Sequence, residues 1–247
     1  MAANEIPIAD YVSRLLSRVQ VAEGTMAFHF EKPSHFAFIP GQAADFTLSD
    51  PPETDSEGNT RTFSLASSPL DSQLMFATRM RDTAFKRSLK QVPLGTEVRI
   101  SPATGSFTLH KNSAKAAVFL AGGIGITPFL SIVRQADHDR LPHKLHLFYS
   151  NRRPEDTAFL QTLQTLENSN PNFQLICTMT DVGQSQRDWT GETGLICKEM
   201  LMRHLSTLQG PIYYSAGPPA MVAGMKKMLV AAGVDEDDIR TEDFAGY

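Results

Sequence analysis

Residues 121–129 read AGGIGITPF and follow directly on the apolar run Ala117-Val118-Phe119-Leu120. A glycine-rich turn that ends a buried strand and opens a helix is where α/β proteins hold phosphate groups, because backbone N–H groups converge there. The dinucleotide fingerprint G-x-G-x-x-G, with an acidic residue about 20 positions on, does not fit. Counted from Gly123 and Gly125, the third glycine falls on Pro128, and the next apolar strand, LHLFYS, ends in Ser150-Asn151-Arg152-Arg153 with no acid at its tip. Pro128 suits the first turn of a helix. The stretch thus predicts strand, turn and helix, but not a simple Rossmann dehydrogenase.

Working outward, the second half of the chain keeps the same rhythm. The buried-strand runs AAVFLAG, KLHLFYS, FQLICTMT and PIYYSAG alternate with helix-length segments TPFLSIVRQADH, DTAFLQTLQTLE and KEMLMRHLSTL, which predicts a doubly wound parallel sheet. The first half has short β-rich runs instead: YVSRLLSRVQV, TMAFHFEK, AADFTL, RTFSL, QLMFATRM and EVRISP, with one short helix around Thr83 to Lys90. These predict a six-stranded antiparallel barrel. SDPPETDSEGNT, residues 49–60, reads as a solvated loop. The boundary is expected near Lys111 to Lys115, giving domains 1–112 and 113–247.

Composition narrows the chemistry. The 247 residues are 41% hydrophobic, enough for a substantial core, and the net charge of −4 argues against nucleic acid as a partner. Two cysteines, Cys177 and Cys197, are too few for a disulfide scaffold, a structural zinc site or a four-thiolate cluster, so no metal site is expected in the chain. No apolar run approaches 18 residues and the N-terminus lacks a signal-peptide pattern, so a cytoplasmic protein without membrane insertion is expected. His138, His143 and His146 match no metal motif and read as a surface loop. Trp189 in DWTGETG reads as a packing residue, and the Met221, Met225, Met228 stripe as core.

Three segments carry the functional signal: RTFSLASSP (61–69), AGGIGITPF, and IYYSAGPPAMVAGMKKML (212–229). Together with the aromatic C-terminus EDFAGY they resemble the ferredoxin-NADP reductase superfamily. RTFS is similar to its R-x-[YF]-S flavin motif, GGIGITP to its nicotinamide turn, and AGPPAM to its C-G-P-x-x-M segment, in the family's order and across nearly the whole chain. The resemblance implies a flavin-binding barrel followed by a nicotinamide-binding domain.

Residue by residue, it implies that Arg61 pairs with the flavin phosphate, that Phe63 lies against the flavin, and that Ser64 stands near N5, with Thr62 in the same strand. Thr83, Ala84, Phe85 and Lys86 would open the helix that holds the diphosphate, although the family's glycine and hydroxyl are out of place in RDTAFKRSL. Gly122, Gly123, Gly125 and Thr127 would meet the nicotinamide dinucleotide, with Ala216, Gly217 and Pro218 at the second turn; the family often has cysteine where Ala216 stands. Asn151, Arg152 and Arg153 would read the coenzyme's ribose, the two arginines favouring NADPH over NADH. Tyr247, or Phe244 in its place, would cover the flavin, and Glu242 would contact the nicotinamide region. The expected cofactor is FAD, with FMN as the alternative flavin. The implied activity is hydride transfer from NAD(P)H to FAD and onward transfer to a separate ferredoxin, flavodoxin, cytochrome or diffusible acceptor; the alternative is a flavin-binding electron-transfer or regulatory subunit without turnover of its own.

Overall fold

The structure is a computed structural model that describes residues 10–244. Tyr247 lies outside the described residues. Two six-stranded sheets follow one another along the chain.

The first sheet is antiparallel throughout. Its strands are β1 (Tyr11–Ala22), β2 (Thr25–Glu31), β3 (Ala43–Leu48), β4 (Thr60–Ser64), β5 (Gln73–Arg79) and β6 (Glu97–Ile100), with helix α1 (Ala84–Gln91) between β5 and β6. The order β4-β3-β6-β1-β2-β5 leaves β4 and β5 as unpaired edges facing each other. Alternation along the strands sends Leu15, Phe28, Phe30, Phe46, Phe76, Val98 and Ile100 inward. Phe63 of β4 stacks on Phe76 of β5 with ring centres 3.9 Å apart, so an aromatic pair spans the gap where no ladder of hydrogen bonds does.

The second sheet is parallel. It comprises β7 (Ala117–Gly122), β8 (Leu145–Asn151), β9 (Phe173–Met179), β10 (Glu192–Thr193), β11 (Ile212–Gly217) and β12 (Ile239–Asp243), in the order β10-β9-β8-β7-β11-β12. The helices are α2 (Ile126–His138), α3 (Leu160–Ser169), α4 (Lys198–His204) and α5 (Pro219–Ala231). Phe129 and Leu163, on α2 and α3, pack on one face, and Leu201 and Leu229, on α4 and α5, on the other. The chain therefore reverses direction across the sheet between β7 and β11, which makes the carboxyl ends of those two strands the switch point where such sheets bind ligands.

Residues 101–116 join the sheets, and one hydrophobic core crosses the junction: Ala66, Met75 and Ala77 of the first half pack with Phe119, Phe129 and Tyr214 of the second. Polar clasps add register, among them Ser131 Oγ donating to the Ser67 carbonyl at 2.6 Å and the Arg134–Asp71 ion pair at 2.8 Å. His143 is buried, its Nε2 2.9 Å from the His110 carbonyl, and His146 is a half-buried residue of β8. The surface-loop reading is thereby corrected for two of the histidines: His143 sits against the joining segment, and His146 lies on β8 with its Nδ1 2.9 Å from Gln174 Oε1. Two further elements depart from the sequence reading. Phe159 takes a left-handed backbone, φ 61°, so α3 starts at Leu160 rather than at Asp156, and DWTGETG contributes the short strand β10 with Trp189 donating to the Glu192 carbonyl at 2.7 Å.

Candidate active site

A cavity of about 490 Å³ opens between the edge strands β4 and β5 and is closed on its inner side by the switch point of the parallel sheet. Arg61, Thr62, Phe63 and Ser64 line one wall, Thr83 and Lys86 of the α1 start another, and Ile124, Thr127, Glu242 and Phe244 the floor. The volume is in the range of cofactor pockets. Residues as distant in the chain as Ser64 and Glu242 thus form one site because β12 runs parallel to β11, with Glu242 opposite Ala216.

Ser64 and Glu242 meet at the inner end. The Ser64 hydroxyl donates to Glu242 Oε1 at 3.1 Å, and Glu242 Oε2 is buried without a hydrogen-bond partner. Burial pushes the Glu242 carboxyl above the usual carboxylate range, against the opposing effect of the Ser64 hydrogen bond. A buried acid with one unsatisfied oxygen is costly in a folded protein, and here it faces the cavity. Phe244 stands beside it, its N–H donating to the Gly217 carbonyl at 3.0 Å.

The two glycine turns pack directly on each other. A Cβ on Gly125 would lie 2.2 Å from the Ala216 carbonyl oxygen, and one on Gly122 would lie 2.2 Å from Met221 Sδ. Gly123 and Gly217 carry positive φ, 53° and 150°, which favours glycine at both. Gly125 is therefore required by the contact between the turns, backbone against backbone, while Gly122 leaves room for the Met221 side chain of α5, physical reasons the sequence did not reveal. Thr127, buried, donates its hydroxyl to the Ile124 carbonyl at 3.1 Å.

The outer end is cationic. Thr83 caps α1 by accepting from the Lys86 N–H. Phe85 packs into the barrel core and Ala84 is buried, so of these helix-start side chains only those of Thr83 and Lys86 reach the cavity. Burial, reinforced by the nearby Arg81 and Arg61 charges, holds the Lys86 ammonium below the usual lysine range, and no carboxylate pairs with it among the described residues. Arg61 is already engaged: its Nη2 lies 3.1 Å from Asp55 and 3.0 Å from Glu57, and its Nη1 donates to the carbonyls of Glu57, Gly58 and Thr60.

A second, more open cavity of about 740 Å³ adjoins the first at Arg79 and includes Arg81, Arg152, Arg153 and Asp181. The arginines at the tip of β8 differ. Arg153 is fixed by Asp156 and Glu23, while Arg152, 70% exposed, touches Asp181 at 3.0 Å. Of the two arginines expected to favour NADPH, Arg153 is held in the clasp between the two halves and Arg152 is the more exposed. Asn151 is buried with both side-chain polar atoms unpaired and does not line either cavity. Arg79 and Arg81 were missed from sequence; the R-x-R spacing at the end of β5, just before a helix start, was the available signal.

Comparison with known proteins agrees with this geometry. Residues 119–227 match the family described as Oxidoreductase NAD-binding domain. Over 156 residues the chain is 31% identical to one subunit of the Na(+)-translocating NADH-quinone reductase of Haemophilus influenzae, covering 62% of this chain and 38% of that protein. Over 225 residues it is 26% identical to the glycine betaine monooxygenase reductase subunit of Chromohalobacter salexigens, covering 89% and 60%. Residues 119–227 are thus similar to an oxidoreductase NAD-binding domain, in keeping with the resemblance of the motifs to the ferredoxin-NADP reductase superfamily. A crystal structure of a ferredoxin NADP+ reductase from Neisseria gonorrhoeae with bound FAD and NADP superimposes with a TM-score of 0.79 at 20% identity, over 95% of this chain and 98% of that one. The chain spans less than two thirds of the two curated relatives. No helix among the described residues is long and apolar enough to cross a membrane, and no group of three or more metal-ligating side chains is found among them.

Proposed function

We propose that this protein is an NAD(P)H-dependent flavoprotein reductase that binds FAD in the β4–β5 cavity and passes electrons to a separate acceptor. The observation that carries the reading is the Ser64–Glu242 pair, a hydroxyl and an unsatisfied buried carboxyl at the inner end of a cleft whose outer end holds an unpaired, desolvated lysine. That polarity suits a ligand with a polar ring at one end and a phosphate at the other. The fit with FAD is good in these terms, FMN being the smaller alternative.

In this reading Lys86 meets a flavin phosphate, with Arg61 available to it once released from its carboxylates. Phe63 and Phe244 confine a planar ring, and Ser64 supplies a hydroxyl that donates or accepts as the ring's protonation changes. Glu242, holding its proton to higher pH than an ordinary glutamate, is the proton store at this end. Bound flavin supplies the redox chemistry, two electrons in and single electrons out. The turns at Gly122 to Thr127 and Ala216 to Pro218 bring nicotinamide to the same end by positioning alone, since no thiol stands at Ala216. Arg152, at the edge of the adjoining cavity, is the residue to meet a coenzyme 2′-phosphate. The names of the two relatives support an electron acceptor on another protein, whether ferredoxin, flavodoxin, cytochrome or an oxygenase component.

Reconstitution with FAD followed by anaerobic titration with NADH and NADPH tests this. The expected result is a stoichiometric flavin spectrum that bleaches with at least one coenzyme; protein without flavin absorbance after reconstitution would sink the proposal.

A further inference from the structure

Lys86 apart, the guanidinium groups of Arg61 at the outer end of the cleft and of Arg87 on α1 already hold anions, and most of these come from one surface segment. Asp55 and Glu57 lie on Arg61, and Glu53 grips Arg87 through two bonds of 2.7 Å, while Ser88 Oγ donates to the Glu53 carbonyl at 3.0 Å. Burial alone would raise the Asp55 carboxyl; hydrogen bonds from the Glu57 N–H, from Arg61 and from the Ala84 N–H at the start of α1 bring it below its ordinary value. Guanidinium groups and a helix-start N–H are the donors that suit a phosphate ester. Here three carboxylates of one loop sit on them.

The segment has little else to hold it. None of residues 49–59 is buried, and Gly58 turns the chain with φ 74°. Exposed ion pairs are individually weak, so the loop can leave at small cost. We propose that residues 53–57 act as an internal anion that occupies the phosphate-binding donors of the flavin cleft and is displaced when a flavin dinucleotide binds. The inference rests on the flavoprotein reading above. It assigns the acids of SDPPETDSEGNT a role: Asp55 and Glu57 keep Arg61 and the start of α1 occupied until the cofactor's phosphates replace them, while Glu53 ties the loop to Arg87 on α1. A flavin with one phosphate competes for fewer of these donors, and riboflavin for none.

The test is flavin-fluorescence titration of the full chain, freed of cofactor, with FAD, FMN and riboflavin. Asp55→Asn/Glu57→Gln and, separately, Glu53→Gln keep side-chain size while removing charge. Both should tighten FAD by about three- to fivefold, FMN by less, and riboflavin not at all. Hydrogen exchange gives the second reading: FAD added to the wild type should speed exchange at residues 53–58 while slowing it at 61–64. Unchanged or weaker FAD binding in both variants, or protection of 53–58 by FAD, would overturn the proposal while leaving the flavoprotein assignment standing. No flavin binding by wild type or variants would remove both.

Discussion

The two ends of the cleft are built on opposite principles. At the inner end, buried Ser64 donates to half-buried Glu242, whose second carboxylate oxygen is buried and left bare. At the outer end, Arg61 is partly exposed and saturated with carboxylates and carbonyls. A buried unpaired group is expensive and persists only where the surrounding fold imposes it; an exposed ion pair costs almost nothing to make or break. The inner end is therefore fixed by the packing of the two halves, whereas the outer end is free to exchange partners.

The largest effect should come from breaking the fixed side at its base. Gly125→Ala places a methyl group against the Ala216 carbonyl, backbone against backbone, so neither side can yield by a rotamer change. A loss of about 2–3 kcal/mol is expected, seen as a fall of several degrees in Tm, together with weakened NAD(P)H binding. Gly183→Ala is the matched control, since nothing lies within 4 Å of the added carbon, and it should leave Tm within a degree or two. Equal shifts for the two variants would show that the turn-to-turn contact does not hold the inner end.

Glu242 sharpens the comparison through pH. Its folded carboxyl lies above the ordinary carboxylate range, so between the ordinary and the raised value the folded protein holds a proton that the unfolded chain has lost. Its contribution is full below the ordinary glutamate range and is lost as pH rises through the raised value. Glu242→Gln removes this dependence and should stabilise the protein by about 1 kcal/mol at pH 8 relative to wild type, with no gain at pH 4. Urea unfolding at the two pH values checks it. Ser64→Ala should move the loss to still higher pH, because the hydrogen bond opposing the rise is gone. A gain at pH 4 equal to that at pH 8 would mean that Glu242 does not titrate in this window.

How far the sequence reveals such a site depends on which forces made it. Periodicity exposed both sheets because apolar alternation in Phe28, Phe30 and Phe76, and the unbroken run Val118 to Ala121, are local consequences of one-sided and two-sided burial. The motifs placed Ser64 and Glu242 in one site because their positions follow from strand ends. What stayed hidden was contact across distance. The missing side chains of Gly122 and Gly125 also make room for Met221 and Ala216, a fact about segments far apart in the chain. The left-handed Phe159 carries no local signal, and it moved the start of α3. The carboxylate partners of Arg61 and Arg153 stayed hidden because an ion pair formed across a turn or across the two halves leaves no periodic trace.

The smallest effect belongs to the exchangeable end, and it separates the two arginines of β8 that the sequence treats alike. Arg153 donates to Asp156 and reaches Glu23 in the first half of the chain, so Arg153→Ala should loosen the junction and weaken NADH and NADPH equally. Arg152 has a single carboxylate partner, Asp181, and is mostly in water. A phosphate reaching it must compete with that carboxylate, and neutralising the competitor should favour the coenzyme that carries the extra phosphate. Asp181→Asn is thus expected to improve the NADPH:NADH ratio of kcat/KM by about two- to fourfold, and Arg152→Ala to lower it by a similar factor. Both ratios can be read in a steady-state reductase assay with ferricyanide as acceptor. Should Arg153→Ala move the ratio while Arg152→Ala does not, the exposed arginine is not the one that reads the ribose, and the fixed clasp would have to open to do so.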